Sequence, residues 1–182
     1  MTNYDEQKFA ELVVYICSRC QFDRSFGATK LNKYLFYSDF GAYQRLGSPI
    51  TGAEYQRLPN GPAPRKMLPT RDQLVRDGAL KQTRVDAGAG YSEDRLIPLR
   101  PPVLSSFTAD EIAIVDEVID TYRDYRAVDL SLHSHRHDGW RLAADSETIP
   151  YFTQLLPHGN DEIPERVLNH ARSLSDAQAR SA

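Results

Sequence analysis

Apolar residues dominate a predicted helix over residues 28–46, where they cover well over half of the circumference. Only one strip stays polar, and Gly47-Ser48-Pro49 ends the pattern. A helix that is apolar over so much of its surface is buried on several sides, so we expect other elements to pack around it. The apolar positions are Leu31, Leu35, Phe36, Phe40, Ala42 and Tyr43, and the polar strip contains Lys30, Lys33, Tyr37, Gly41 and Gln44.

Helical spacing recurs along the rest of the chain. Asn3 with Glu6 resembles a capping box at the start of a helix over about residues 5–20, and Thr108 with Glu111 forms a second one. The remaining predicted helices cover about residues 63–77 with a kink at Pro69, 109–124, 128–135, a short segment after Gly139, and a last segment from Pro164.

Two regions favour extended structure. Residues 50–58 are followed by a turn at 59–62, and residues 80–85 and 91–99 alternate as two strands of a hairpin around a glycine-containing loop. These elements predict a mainly α protein with a small β-hairpin or sheet, of the α+β class. We expect a single compact domain over residues 1–175 and a disordered tail over residues 176–182.

Composition narrows the function classes. The 182 residues carry a net charge of −3 and a pI of about 5.9, which argues weakly against a nucleic-acid-binding protein. The N-terminal segment lacks the features of a signal peptide, and no stretch reaches the roughly 18 apolar residues of a membrane span. We therefore expect a cytoplasmic protein without a membrane partner.

Two polar residues interrupt the apolar arc of the central helix. Asn32 and Asp39 are seven residues apart and therefore lie on one side of the helix. A buried carboxylate needs donors, and backbone N–H groups of the segment 49–61 are the nearest candidates. We therefore expect Asn32 and Asp39 to face inward and to hold this segment against the helix, with Asp39 as a structural tie. The alternative for Asp39 is a general base or metal ligand.

Cysteine and histidine positions invite a metal or redox interpretation. Cys17 and Cys20 continue an apolar stripe, so buried inert thiols are favoured over a metal or redox pair. His133, His135 and His137 alternate by two, so a continuous helix directs them to different faces. His133 and His137 could still pair, with His158 or Asp138 as further ligands, but no metal site is predicted.

No catalytic motif is recognised. The chain contains no Gly-x-Ser-x-Gly, Walker A or Gly-x-Gly-x-x-Gly sequence, so no enzyme, cofactor or catalytic residue is predicted. Tyrosines in extended segments are candidates either for partner contacts or for covering the core. The partner-binding candidates are Tyr55, Arg57, Tyr91 and Arg95.

Two strings resemble a known family. The string KLNKYLFYSDF and the following SPITGAEYQRLPNGPAP, with Ser134-His135, Trp140 and Ile149-Pro150-Tyr151 further on, resemble the Panacea antitoxin domain, also called the SocA-like or phage-associated GepA-like family. The resemblance covers roughly residues 5–155. The family positions interpreted as structural are Lys30, Leu31, Asp39, Pro49, Thr51, Gly52, Tyr55, Gly61, Pro62, His135 and Trp140.

The resemblance implies an antitoxin of a type II-like toxin–antitoxin pair, associated with a bacterium or prophage. Such a protein binds a toxin encoded beside it and could deliver that toxin to a protease. One alternative is a transcriptional regulator that uses the hairpin as the wing of a winged helix to bind DNA. Another is a metal-dependent hydrolase built on Asp39 and His135.

Overall fold

The computed structural model describes residues 3–88 and 91–156, with the side chains of residues 86–93 excepted. These residues form six helices, a three-stranded antiparallel sheet and a two-stranded antiparallel hairpin, which confirms the α+β prediction. The helices are α1 (Glu6–Arg19), α2 (Ala28–Leu46), α3 (Met67–Arg76), α4 (Ala109–Tyr122), α5 (Ala127–Ser134) and α6 (Asp138–Leu142). The strands are β1 (Tyr55–Gln56), β2 (Ala63–Pro64), β3 (Leu80–Gly88), β4 (Tyr91–Pro98) and β5 (Thr148–Ile149), and a 3₁₀ helix covers Tyr151–Leu155.

Helix α2 lies at the centre of the structure, as its apolar pattern predicts. It packs against α1, α4, α5 and the 3₁₀ helix, and it ends at Gly47, which adopts a left-handed conformation with φ of 80°. The surrounding elements also bury the strip that the pattern leaves polar. Lys30 and Lys33 are both fully buried instead of facing solvent, because α4, α5 and the segment before β2 cover that side.

The first helix begins within one residue of the prediction, but its capping residue differs. Asp5, rather than Asn3, is the N-cap residue, and its carboxylate accepts a hydrogen bond from the Lys8 N–H at 2.9 Å. The backbone N–H of Asp5 donates to the carbonyl of Thr51, also at 2.9 Å. The chain before α1 is therefore fixed by a long-range contact that a local capping pattern does not contain.

The prediction of a helix over residues 63–77 is wrong in its first part. Residues 63–64 form β2, which pairs with β1, and β1 pairs on its other side with β5. Helix α3 begins only at Met67, so Pro69 falls in its first turn, where proline is tolerated without a kink. Predicted strand 50–58 is likewise reduced to the two residues of β1.

The hairpin and the second capping box agree with the predictions. Strands β3 and β4 pair in antiparallel register from Leu80–Pro98 outward. Thr108 caps α4 by accepting from the Glu111 N–H, while the Glu111 carboxylate accepts from the Thr108 N–H at 2.8 Å. Among the residues described, no helix combines the length and apolar character that crossing a bilayer requires.

Candidate functional site

Asp39 joins the central helix to the segment that follows it. Its Oδ1 atom accepts from the backbone N–H of Thr51 at 2.8 Å, and its Oδ2 atom accepts from the Thr51 hydroxyl at 2.6 Å. The Tyr55 hydroxyl donates to the same Oδ2 atom at 2.8 Å. The carboxylate is fully buried, so these donors replace the water that it loses on folding.

Burial sets the electrostatics of this contact. Removal from water raises the pKa of Asp39, and the hydrogen bonds from Thr51 and Tyr55 counteract that rise. The Tyr151 hydroxyl lies beside the cluster and donates to the Ala53 carbonyl at 2.5 Å. A carboxylate enclosed in this way can hold two chain segments together, but it has no open face toward a substrate.

Asn32 does not take part in this tie. Its Oδ1 atom is buried without a hydrogen-bond partner among the described residues. The inward placement expected for Asn32 is only partial, because the residue is half-buried. The expectation that Asn32 and Asp39 act together on the segment 49–61 is therefore wrong for Asn32.

Lys33 lies beneath the turn at residues 59–62. Its Nζ atom donates to the Pro62 carbonyl at 2.9 Å, and only 1% of the residue is exposed. Burial lowers the pKa of Lys33 to about 7. Gly61 permits this approach: it has φ of 92°, and an added Cβ would lie 2.2 Å from the Ser134 Oγ and 2.7 Å from the Lys33 Cε.

Helix α5 supports the same turn from the other side. The Ser131 hydroxyl donates to the Asn60 carbonyl at 2.9 Å, and the Ser134 hydroxyl donates to the Ser131 carbonyl at 2.6 Å. Sequence reasoning missed the burial of Lys33 and the contact of Ser131 with the turn. No local pattern shows either, because the contacts join residues far apart in the chain.

The side chains of His135, Trp140 and Arg57 stack beside the residues that precede this turn. The ring of His135 lies parallel to that of Trp140 with centroids 3.9 Å apart, and the Arg57 guanidinium lies 4.4 Å from the Trp140 ring centroid. The Trp140 indole N–H donates to the Leu58 carbonyl at 3.2 Å. Burial, with Lys33 nearby, lowers the pKa of His135, which favours its neutral form.

The other two histidines point elsewhere. His133 lies against the Tyr122 ring, whereas His137 contacts Gln154 and accepts from the Gly139 N–H through its Nδ1 atom. No group of three metal-binding side chains occurs in residues 3–88 and 91–156. His158, a possible further ligand in the sequence interpretation, lies outside that region.

Lys30 and the cysteines border a second polar cluster. The Lys30 Nζ atom donates to Asp23 Oδ2 at 2.8 Å and to the Arg123 carbonyl at 2.8 Å, which joins α2 to the end of α4. Cys17 and Cys20 are both buried and unpaired, and burial raises the pKa of Cys20 to about 12. Such a thiol is protonated at neutral pH and is a poor nucleophile or metal ligand.

The remaining positions of the family motif contribute to packing and to the backbone conformation. Leu31 is in the core, Pro49 is half-buried, and the Pro62 carbonyl faces Lys33. Gly52 has φ of 69°, and an added Cβ would lie 2.5 Å from the backbone oxygen of Asn3. Glycine is therefore required at position 52 for both conformation and space.

The partner-binding candidates have different surroundings. Only 1% of Tyr55 is exposed, so its ring covers the core. Of the two roles considered for this tyrosine, partner contact and core cover, the structure shows the second. Tyr55 is therefore not a surface anchor. Arg57 is half-buried and donates to the Ala143 carbonyl at 2.6 Å. Arg95 is half-buried on β4, and the side chain of Tyr91 lies outside the described residues.

The motif residues are thus drawn together from α2, the segment through β1 and β2, α5 and α6. A family model described as the antitoxin SocA-like, Panacea domain matches residues 31–141, which include this whole arrangement from Leu31 to Trp140. The chain belongs to the SocA-like Panacea family. No curated protein and no solved structure gives a significant match to the chain. In this Panacea domain most of the motif residues are buried, and Pro49, His135 and Trp140 are half-buried.

Proposed function

We propose that this Panacea domain is an antitoxin that neutralises the product of a neighbouring gene by binding it directly. The observation that carries the proposal is the family match over residues 31–141, which contains the motif from the central helix to Trp140. The family is described as antitoxin-like, and the protein is therefore expected to act on a toxin.

The buried motif supports a binding mechanism. Asp39 and Lys33 have the residue types of a reaction centre, but both are enclosed by the fold and bonded to backbone or hydroxyl groups of this chain. Such buried contacts hold the domain in one shape. A protein that occludes a toxin by binding it one-to-one requires a surface of fixed shape. An interface of standard size would bury about 1,600 Å² in total.

The test is co-expression with each flanking open reading frame. We expect one frame to arrest growth alone and to be tolerated when this protein is produced with it. The two purified proteins should then co-elute in size-exclusion chromatography at a fixed ratio. The negative control is Gly52→Val: a side chain at this left-handed position would meet the Asn3 backbone oxygen, so we expect the variant to misfold and neither to rescue growth nor to co-elute.

Two outcomes would contradict the proposal. If neither neighbouring product is toxic and the purified protein retards DNA in a salt-dependent manner, the domain is a regulator. If rescue occurs without a stable complex and requires a cellular protease, the domain delivers the toxin for degradation instead of occluding it.

A further inference from the structure

The hairpin of β3 and β4 is a sheet of its own. Among the described residues β3 pairs with β4 and with no other strand, and β2, β1 and β5 form a separate sheet. In an antiparallel pair, about half of the residues direct their backbone N–H and C=O groups toward the neighbouring strand, and the other half direct them outward. The hairpin therefore has two lateral edges at which a further strand could be added.

One backbone hydrogen bond determines which of these groups face outward. The N–H of Leu99 donates to the carbonyl of Ala79 at 2.9 Å, so these two residues form a hydrogen-bonded pair at the base of the hairpin. Hydrogen-bonded and non-hydrogen-bonded pairs alternate along an antiparallel ladder. In the observed register, Gln82 and Leu96 are therefore a non-hydrogen-bonded pair. The N–H and C=O groups of Gln82 point away from β4.

The outer edge of β3 is open to solvent. Lys81, Gln82 and Arg84 are exposed, and Thr83 and Val85 are half-buried. The described part of the chain provides no hydrogen-bond partner for the outward-facing backbone groups of Gln82. This stretch of five residues is about 17 Å long at the rise of a β-strand. Unpaired backbone groups at a strand edge are a template for the pairing of another strand.

The outer edge of β4 is less suitable for pairing. Pro98, which lies opposite Leu80, occupies an outward-facing position of β4 but has no N–H to donate. At the next outward-facing position, Leu96 is half-buried against the core. A strand added at this edge would find one donor fewer and two helices, α1 and α2, packed against β4.

A second copy of the chain is a poor occupant of the β3 edge. Antiparallel pairing of two β3 strands around Gln82 would place Lys81 opposite Thr83 of the other copy, and the two Lys81 side chains would then lie diagonally across from each other. Lys81 lies opposite Ile97 in the hairpin and has no ion pair with any described residue. Its charge is therefore not compensated, and like charges at neighbouring cross-strand positions disfavour pairing.

We propose that the outer edge of β3 pairs with an extended strand of the neutralised partner protein, through the backbone N–H and C=O groups of Gln82. Strand addition of this kind draws its affinity from main-chain hydrogen bonds, so it depends on the backbone of β3 more than on its side chains. The inference rests on the proposed function and adds the contact surface and the conformation of the bound segment. It uses β3 instead of the β4 residues Tyr91 and Arg95.

The test uses the full chain and the toxin encoded by the flanking gene. Gln82→Pro removes one outward-facing N–H and leaves the bonded pairs on either side in place, so binding should weaken about tenfold or more in isothermal titration. Gln82→Ala keeps that N–H and removes only the side chain, so its affinity should stay within about twofold of the wild type. The matched control is Asp94→Pro, which removes an outward-facing N–H from β4 and should leave the affinity unchanged.

Amide hydrogen exchange tests the same contact without a substitution. In the wild-type protein the Gln82 amide should exchange more slowly once the toxin is bound, because its N–H gains an acceptor, whereas exchange of the Asp94 amide should not change. This measurement decides the question if either proline variant melts at a lower temperature than the wild type.

The possible results separate the two proposals. Full affinity of a folded Gln82→Pro protein, or an equal loss in Gln82→Ala or Asp94→Pro, would overturn this inference and leave the antitoxin proposal intact. Unchanged exchange of the Gln82 amide on toxin binding would overturn it as well. So would a dimer of the chain that Gln82→Pro converts into a monomer with no change in toxin affinity. If the wild-type protein binds neither neighbouring product, the antitoxin proposal fails and this inference fails with it.

Discussion

The Nζ atom of Lys33 lies 2.9 Å from the carbonyl oxygen of Pro62, in a part of the domain where both residues are buried. No carboxylate contacts this Nζ atom within the described residues. A lysine without an acidic partner is held in the interior by one backbone oxygen and by the packing around it. Burial therefore disfavours the charged form of this lysine.

This burial predicts a pH dependence of stability. The pKa of Lys33 falls from 10.5 in the unfolded chain to about 7 in the folded one. Between these values the unfolded state binds more protons, so the free energy of unfolding should rise with pH. The slope contributed by one such group approaches about 1.4 kcal/mol per pH unit.

Urea denaturation of the wild-type protein and of Lys33→Met between pH 7 and 8.5 measures the effect. The free energy of unfolding of the wild type should rise with pH more steeply than that of the variant, and the difference in slope should approach about 1.4 kcal/mol per pH unit toward pH 8.5. Comparison of the two proteins cancels the contribution of the buried thiols, whose raised pKa values lower stability as the pH rises toward 9. Equal slopes would show that Lys33 is solvated in the folded protein.

Replacement of Asp39 by Asn should destabilise the fold without abolishing it. Asn keeps the shape but loses one acceptor oxygen among the donors from Thr51 and Tyr55, and we expect a loss of about 1–3 kcal/mol in the free energy of unfolding. Asp72→Asn, at an exposed position of α3, should change stability by less than about 0.5 kcal/mol. An Asp39→Asn protein that melts like the wild type but no longer protects against the toxin would indicate a direct functional role instead.

Two glycines with left-handed backbones should respond differently to alanine. Gly47→Ala meets no atom within 4 Å and should cost only the conformational penalty of about 1–2 kcal/mol. Gly61→Ala adds a clash with Ser134 and Lys33 to that penalty, and should cost about 1–3 kcal/mol more. Chemical denaturation of both variants gives the difference, and equal losses would mean that the turn at Gly61 can move away from α5.

Trp140→Phe should loosen the stack over residues 57–59. The indole N–H bond to the Leu58 carbonyl is lost, and the contact with the Arg57 guanidinium weakens. We expect a loss of about 1–2 kcal/mol. Thermal unfolding followed by circular dichroism measures it, with Leu142→Ala as the control because that side chain is mostly exposed. A loss no larger than in the control would argue against the stack as a stabilising contact.

The elements with strong local signals could be predicted from the sequence. The bounds of α2 agree with its apolar pattern and its glycine stop, and the capping box at Thr108 fixes the start of α4. The hairpin likewise follows from alternation on both sides of a glycine-containing loop. Each of these signals lies within a few residues of the structure that it determines.

The contacts across the chain could not be predicted in the same way. Ala63 and Pro64 are strand residues only because Tyr55 and Gln56 pair with them. Lys30 and Lys33 have the composition of a solvent-facing strip, yet α4 and the turn at Pro62 provide acceptors that allow them to be buried. The helical periodicity of α2 is correct, but periodicity alone does not say how many of its sides are covered.

The pairing of β1 on both of its edges has a practical consequence for fragments of this chain. A polypeptide restricted to residues 31–141 would end before Thr148 and Ile149, the residues that occupy one edge of Tyr55–Gln56. It would also lack α1, whose apolar side fills the core with Phe9, Leu12 and Ile16. Unpaired strand edges and uncovered apolar surface promote aggregation, so recombinant production should begin before α1 and extend beyond Leu155.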